Sequence, residues 1–231
     1  MAKTNKNKKQ HNMKSSKNKP SSFIYWIIGI VVACIAGLVV LANLPEDGFD
    51  FDYDNQPVMG EESASVSIVE FGDYRCPVCK NFNESFFPVL KENLIDTGKA
   101  KFYYMNYPFI HADSTTAALF GETVYNELGD DTFWKFHDSI YANQPDNETV
   151  ETYTEDFLTE RLKDAGASDE DVTKVTEAFQ NETYKSSLQD DMDDVKSLNI
   201  TGTPSIYVNG VKFEGNSYDE LLEMVNEAAD K

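Results

Sequence analysis

Two cysteines, Cys76 and Cys79, lie where a strand-like sequence gives way to a helical one. Residues 65–71 are rich in β-branched side chains, which predicts a short buried strand ended by Gly72. After Pro77 large apolar residues recur on one side of a helix: Phe82, Phe86, Phe87, Leu90 and Leu94. Unpaired N–H groups and the helix dipole favour a thiolate at a helix N-terminus. This position predicts a reactive, exposed Cys76 sulfur, with Cys79 one turn further in as its resolving partner.

Further strand-like and helical segments follow in a fixed order. Residues 101–107 are typical of a second strand, and an Asn-Gly turn joins two more at residues 205–208 and 211–213. A closing helix begins at Ser217, which can form a capping box with Glu220. Between these parts lies a long helical stretch, with candidate helices at residues 115–128, 132–142, 151–164, 169–179 and 184–198. The chain therefore predicts an α/β fold of order β-α-β, helical block, β-β-α.

The residues around the two cysteines indicate how their reactivity is tuned. Arg75 adds positive charge beside Cys76, and the dipeptide Pro77-Val78 sets the beginning of the helix. A disulfide across two residues is tight, and such strained bonds are the labile, catalytic ones. A structural bridge, a zinc site or a non-catalytic metal chaperone or client-binding module are the alternatives. Zinc needs four ligands, whereas His111 and His137 lie singly and are expected to cap or pack, so no metal is assigned to the cysteines.

A run of 20 residues without formal charge, residues 23–42, predicts one membrane-spanning helix. Seven lysines and no acid precede it, which places the basic tail, residues 1–22, in the cytoplasm and the rest outside. Acylation at Cys34 within a lipobox-like sequence, or signal-peptidase cleavage near Ala42, are the alternatives to a retained anchor. Residues 43–63 are expected to form an acidic linker, and residues 64–231 the folded domain.

The net negative charge of the chain argues against nucleic acid as a partner. From Asn43 onward the chain carries 40 acidic and 13 basic residues, a formal charge of −27, so it is a poor ligand for nucleic acid. Within this part Asp190, Asp191, Asp193 and Asp194 form an acidic run. Such a run is typical of a solvated helix face, and calcium binding is the alternative. The chain is expected to be a monomer.

Two segments taken together resemble a known family. Residues 71–80, FGDYRCPVCK, and residues 202–210, GTPSIYVNG, closely resemble the two signatures of DsbA-type thiol-disulfide oxidoreductases. The likeness is greatest to the membrane-anchored BdbD-like members from Gram-positive bacteria, and it covers residue 58 to the C-terminus. It implies a thioredoxin fold whose helical insertion spans about residues 115–200. The dipeptide Pro77-Val78 departs from the family members considered, which puts the redox potential in question.

The resemblance also implies roles for single residues. Thr203-Pro204 matches the family's cis-proline, which faces the active disulfide and presents the Thr203 backbone to a substrate chain. Glu70 matches a buried acid beneath the resolving cysteine, where it could move protons to and from Cys79. A solvent-facing strand acid is the alternative for Glu70.

The implied activity is that of an extracytoplasmic oxidase. It would donate the Cys76–Cys79 disulfide to unfolded secreted proteins and be reoxidised by a quinone-coupled integral membrane partner. The dithiol itself carries two electrons, so no further cofactor is required. A reductase or an isomerase of the same fold is the alternative, because a sequence does not fix the sign of a potential.

Overall fold

A mixed sheet organises the fold in the computed structural model, which describes Val31 and residues 48–145 and 150–230. Its five strands are β1, Val58–Met59; β2, Val66–Gly72; β3, Ala100–Asn106; β4, Ser205–Val208; and β5, Val211–Lys212. They lie in the order β1-β3-β2-β4-β5, and only the neighbours β2 and β3 run parallel. The central strand β2 is buried along nearly its whole length, as its β-branched sequence predicts.

The predicted basic tail and membrane anchor lie outside the described residues, apart from Val31. Within the described part of the chain, no helix has both the length and the apolar character needed to cross a membrane.

A helical run that begins directly after Cys76 connects β2 to β3, and we name residues 77–95 α1. It consists of an α-helical segment, Pro77–Asn81, a π-helical segment, Phe82–Phe86, a second α-helical segment, Phe87–Leu90, and a second π-helical segment, Lys91–Ile95. Pro88 has no N–H group to donate within the helix, so a regular ladder cannot run through this point. The predicted apolar side of α1 is largely buried on the sheet, but Phe86 is exposed.

The helical insertion predicted between β3 and β4 is confirmed. Its helices are α2, Ala112–Leu128; α3, Asp130–Ala142; α4, Glu155–Asp164; α5, Asp169–Gln180; and α6, Lys185–Ser197. Ser168 caps α5 as predicted. Helix α3 begins before its predicted cap at Asp131 or Thr132, because Gly129, at φ 77°, both ends α2 and starts α3.

The C-terminal part matches its predicted β-β-α order. Asn209 and Gly210 both have positive φ, 47° and 79°, as a tight two-residue turn between β4 and β5 requires. Helix α7, Tyr218–Ala229, begins with the predicted capping box of Ser217 and Glu220. These elements complete a thioredoxin-like α/β fold around the helical insertion.

Two apolar cores lie on the two faces of the sheet, because successive side chains of a strand point to opposite sides. The larger core joins Ile68 and Phe102 to residues of α1, the insertion and α7. The smaller core contains Val69 and Phe71 together with Phe51, from the segment before β1.

Part of the predicted linker, residues 43–63, belongs to the fold. The Phe49 N–H donates to the Gly210 carbonyl at 2.9 Å, and Phe51, only 4% exposed, packs against Phe71 and Tyr207. Val58 pairs with Tyr103 in the sheet. The acids that alternate with Phe49, Phe51 and Tyr53 give this segment the composition of a linker, but the alternation itself is that of a half-buried extended chain.

Candidate active site

The two cysteines are free thiols at the beginning of α1. Cys76 is the N-cap residue and Pro77 occupies the first helical turn, as predicted. The Cys76 sulfur accepts a hydrogen bond from the Cys79 N–H at 3.3 Å. Hydrogen bonding from the Cys79 thiol, together with the N–H groups of Cys79 and Val78, lowers the pKa of Cys76 to about 6 against the opposing effect of burial. Cys76 is therefore largely a thiolate at neutral pH.

The prediction of an exposed Cys76 sulfur is wrong for the reduced chain. Only 3% of Cys76 is exposed. Its sulfur lies 3.4 Å from the Thr203 carbonyl, which accepts from the thiol when the thiol is protonated. The peptide bond between Thr203 and Pro204 is cis, as the resemblance implies. This loop, far away in the sequence, covers the sulfur, and the sequence around Cys76 carries no sign of that cover.

Cys79 and Glu70 are both buried and interact electrostatically with Cys76, and burial favours the neutral form of each. Cys79 is fully buried, and burial, followed by its hydrogen bond to Cys76 and the charge of Glu70, raises its pKa well above the ordinary value. Glu70, on β2, is 2% exposed, which contradicts the alternative of a solvent-facing acid. Burial, and then the charge on Cys76, raise the pKa of Glu70 well above its usual range. A carboxyl with a raised pKa keeps its proton to higher pH than an exposed glutamate does.

The predicted tuning residues have different surroundings. Val78 is 59% exposed beside the Cys76 sulfur. Arg75, in contrast, is buried, and its guanidinium lies 3.4 Å from the Asp113 carboxylate and donates to the Val150 carbonyl at 3.0 Å. Asp113 thus balances the charge that was expected to act on Cys76. Arg75 instead ties the cysteine turn to the helical insertion.

Asp73 holds the turn that precedes the cysteines, although the sequence analysis assigned it no role. Its Oδ1 accepts from the Arg75 N–H at 2.8 Å, and its Oδ2 accepts from the N–H groups of Phe109 and Ile110, each at 2.9 Å. Its carbonyl accepts from the Cys76 N–H at 2.9 Å. The Gly-Asp pair at the end of a strand was a usable signal for such a turn. The contacts with Phe109 and Ile110 depend on how the segment after β3 packs against this turn, and no local sequence pattern predicts them.

A groove of about 450 Å³ opens beside the cysteines. Apolar and aromatic side chains from α1, the cis-proline loop, the segment after β5 and the beginning of α7 line it, among them Val78, Phe82, Phe86, Pro204, Phe213 and Tyr218. The groove brings Val78 and the Thr203-Pro204 pair, which lie far apart in the sequence, to one surface. It can accept an apolar segment of another chain next to the Cys76 sulfur.

His111 and His137 have the structural roles predicted for them. His111 caps α2 and its Nδ1 lies 2.7 Å from Asp113. His137 is buried among the rings of Tyr74, Tyr104 and Tyr141, and burial lowers its pKa to about 3. Within the described residues, no contact joins either imidazole ring to Cys76 or Cys79.

The acidic run on α6 does not converge on one point. Asp190 and Asp193 are exposed, whereas Asp191 is fully buried and accepts from Gln56 Nε2 at 2.7 Å and from the Asn106 N–H at 2.6 Å. In the described part of the chain, no group of three or more His, Cys, Asp or Glu side chains is placed to hold a metal ion. The calcium alternative for this run of four acids is therefore not supported.

Asp191 instead joins a buried polar cluster with Glu122, Asn106 and Gln56. Asn106 Nδ2 donates to Glu122 Oε1 at 2.7 Å. Among the described residues, Gln56 Oε1, Asn106 Oδ1 and Glu122 Oε2 are buried without a hydrogen-bond partner. Oxygen atoms are the ligands that hard cations prefer, so any cation bound here would contact this cluster and not the exposed carboxylates of α6.

Comparison with known proteins agrees with this geometry. A protein-family model described as thioredoxin matches residues 52–227. The chain is 33% identical over 220 residues to the probable disulfide bond formation protein D of Bacillus cereus, covering 95% of this chain and 100% of that protein. It is 39% identical over 171 residues to the disulfide bond formation protein D of Bacillus subtilis, covering 74% of this chain and 75% of the other.

Solved structures of related proteins also resemble this chain. The crystal structure of oxidised BdbD from Bacillus subtilis matches with a TM-score of 0.72 and 36% identity, over 78% of this chain and 96% of that one. The crystal structure of DsbA from Chlamydia trachomatis matches with a TM-score of 0.66 over 80% of this chain and 96% of that one, and at 17% identity it supports the fold alone.

Proposed function

This chain belongs to the DsbA-type, thioredoxin-like family of protein thiol-disulfide oxidoreductases, and we propose that within it the chain acts as an oxidase. Its oxidised form would donate the Cys76–Cys79 disulfide to secreted proteins outside the cytoplasm. The dithiol carries both electrons, and no other cofactor takes part.

The opposite pKa shifts of the two thiols carry this proposal. The pKa of Cys76 falls to about 6, and that of Cys79 rises well above its ordinary value. A stabilised Cys76 thiolate favours the reduced form of the pair, which makes its disulfide a stronger oxidant. The same thiolate is a good leaving group when a client disulfide is completed.

The exchange balances in two steps. A client thiolate attacks Cys76 Sγ, the bond between Cys76 and Cys79 breaks, and Cys79 leaves as a thiolate. A second client thiolate then attacks the client sulfur of the mixed disulfide and releases Cys76 as a thiolate. The client has lost two electrons and the enzyme has gained them. One proton is taken up by Cys79, whereas Cys76 stays ionised near neutral pH.

Glu70 would supply the proton that Cys79 needs. Its carboxyl lies buried on β2 with a raised pKa, and its electrostatic interaction with Cys79 means that both groups cannot carry a negative charge without cost. Protonation of the leaving thiolate hinders its renewed attack on Cys76 Sγ, which would re-form the disulfide and expel the client thiolate. Glu70 then regains a proton before the next cycle.

The apolar lining of the groove is suited to binding an unfolded protein as the client. Unfolded chains expose apolar side chains next to their cysteines, and the apolar lining beside Val78 and Pro204 can receive them. The Thr203 carbonyl, which contacts Cys76 Sγ in the reduced chain, would accept a client backbone N–H after the mixed disulfide forms. Client binding would thus replace a contact that covers the sulfur.

The proposed location rests on the sequence of the N-terminal part. The uncharged run 23–42 and the lysines before it support a single-pass anchor with its N-terminus in the cytoplasm and the domain on the outer side. A monomeric domain held at the membrane would be reoxidised there by a quinone-coupled integral membrane partner. Cleavage of the domain by protease added to intact cells would test this placement.

The test of the oxidase assignment is the reduction potential of the full-length chain at equilibrium with glutathione. We expect a potential more positive than about −200 mV and catalysis of disulfide formation in reduced ribonuclease. Cys76→Ser should abolish this catalysis. Cys34→Ser, which removes a thiol outside the folded domain, is the matched control and should leave it unchanged. A potential near that of thioredoxin, about −270 mV, would instead identify a reductase.

A further inference from the structure

Gln144 connects the helical insertion to the cysteine turn through a single amide group. Its Nε2 donates to the Tyr74 carbonyl at 2.8 Å and to the Cys76 carbonyl at 3.0 Å. Gln144 follows the end of α3, about 70 residues after the cysteines, and is half-buried. Both hydrogen atoms of one amide thus hold carbonyls on either side of Arg75.

These two carbonyls border the point where α1 begins. The Cys76 carbonyl also accepts the Lys80 N–H at 3.1 Å, the first hydrogen bond of the helix. The Tyr74 carbonyl also accepts the Tyr153 hydroxyl at 2.6 Å. Each carbonyl therefore keeps one partner if Gln144 is removed, so the loss should change the orientation of the turn without unfolding it.

The orientation of this turn decides where the N–H groups of α1 point. The Cys79 N–H donates to the Cys76 sulfur at 3.3 Å. A small rotation of the Cys76 peptide would lengthen this contact, because the sulfur and the carbonyl belong to the same residue. The second bond from Gln144, to Tyr74, restrains the rotation from the other side of Arg75.

We propose that Gln144 is a positioning residue for Cys76: it fixes the carbonyls of Tyr74 and Cys76, and so keeps the N–H groups of the helix directed at the attacking sulfur. The described residues show no hydrogen bond between Gln144 and the Cys76 sulfur. The inference rests on the proposed role of Cys76 as the attacking thiolate. It adds that the helical insertion, and not α1 alone, sets the reactivity of that thiolate.

The test is the pH dependence of iodoacetamide alkylation at Cys76 in the reduced full-length chain, followed on the Cys76 peptide by mass spectrometry. Gln144→Met keeps the length of the side chain and removes the donor. We expect the pKa of Cys76 to rise by about half a unit to one unit, the effect of losing one hydrogen bond. At about 30 mV per tenfold change, the reduction potential should become more negative by roughly 15 to 30 mV.

A second variant keeps the test decisive. Gln144→Glu has the same size but places a carboxylate against two carbonyls, so the pKa of Cys76 should rise further than in Gln144→Met. Asn143→Ala is the matched control, because the hydrogen bond found for the Asn143 amide among the described residues goes to the Ser139 carbonyl in the same stretch. It should leave both the pKa and the potential at the wild-type values.

The outcomes separate the inference from the proposed function. If the wild-type pKa of Cys76 lies near the ordinary value of 9.0, the proposed oxidase chemistry fails. If the wild-type pKa of Cys76 is low and either Gln144 variant has the same pKa, the inference is overturned. A lower unfolding temperature as the sole effect of the variant would then identify Gln144 as a structural residue.

Discussion

At the scale of single residues, the two cysteines differ because their surroundings differ. Cys76 accepts hydrogen bonds from N–H groups at the beginning of α1, whereas Cys79, one turn later, is fully buried and interacts with the charge of Glu70. Glu70 has its raised pKa chiefly because burial disfavours its charge. Within the described residues, no hydrogen-bond partner of Glu70 Oε1 is found. A carboxyl in this state keeps its proton to higher pH than an exposed glutamate does, which suits it to donate that proton to a neighbouring thiolate.

Replacement of Glu70 by glutamine tests this proton transfer. Glu70→Gln keeps the size of the side chain but removes its acidic proton. We expect the rate at which dithiothreitol reduces the Cys76–Cys79 disulfide to fall at least about tenfold, because Cys79 then leaves without a nearby acid. The pKa of Cys76 should not change. Glu122→Gln, which removes a buried carboxyl on α2, is the control, and equal rates in both variants and the wild type would contradict the assignment.

At the scale of elements, β1 shows how a very short strand is held in place. It contains only Val58 and Met59, and an isolated strand of this length would not be stable. Its position depends on α3: the Val58 N–H donates to Asp130 Oδ1 at 2.7 Å, and the Trp134 Nε1–H donates to the Val58 carbonyl at 2.8 Å. The carboxylate of Asp130 also lies in the first turn of α3, where a negative charge is favourable.

Truncation of this carboxylate should release the strand. For Asp130→Ala we expect the free energy of unfolding to fall by about 1 to 2 kcal/mol, because the Val58 N–H loses a charged acceptor. Asp131→Ala removes the adjacent, exposed carboxylate in the same turn and should change stability by less than about 0.5 kcal/mol. Urea denaturation of both variants gives the comparison. Equal losses would show that Asp130 acts only through the helix dipole.

At the scale of the whole molecule, the helical insertion is joined to the sheet by apolar packing and by the buried cluster around Asp191. Burial raises the pKa of Asp191 to about 7, and burial together with the charge of Asp191 raises that of Glu122 well above its usual range. The cluster connects α2, α6, β3 and the segment before β1 through Glu122, Asp191, Asn106 and Gln56. Two carboxyls in one buried site cannot both ionise without cost.

This pair makes stability depend on pH with a definite sign. A carboxyl whose pKa rises on folding binds its proton more tightly in the folded state, so the wild type should lose stability as pH increases from about 4 to above 7. Glu122→Gln removes one of the charges. With a chelator present, its denaturation midpoint should exceed that of the wild type at about pH 8, and the difference should shrink toward about pH 5.

Asp193→Asn serves as the control for this pair, because it removes an exposed carboxylate from the same helix, α6, that contributes to the pKa of neither Glu122 nor Asp191. Its effect on the midpoint should be small and nearly independent of pH. A constant difference between Glu122→Gln and the wild type across this range would show that the buried pair does not titrate there.

The sequence determined the local features of this protein. Strand composition, helical periodicity, caps such as Ser168 and Ser217 and the Asn209-Gly210 turn predicted the order of elements, because each depends on residues within a few positions of one another. The position of Cys76 and Cys79 at a helix N-terminus followed in the same way.

Only the tertiary structure decided what surrounds these features. Thr203 covers the Cys76 sulfur, Asp113 balances Arg75, and Gln144 holds the turn between them, from positions tens of residues away. Phe51 became part of a core although acids flank it. Burial and pairing across such separations depend on how the elements pack, and a one-dimensional pattern contains no distance between them.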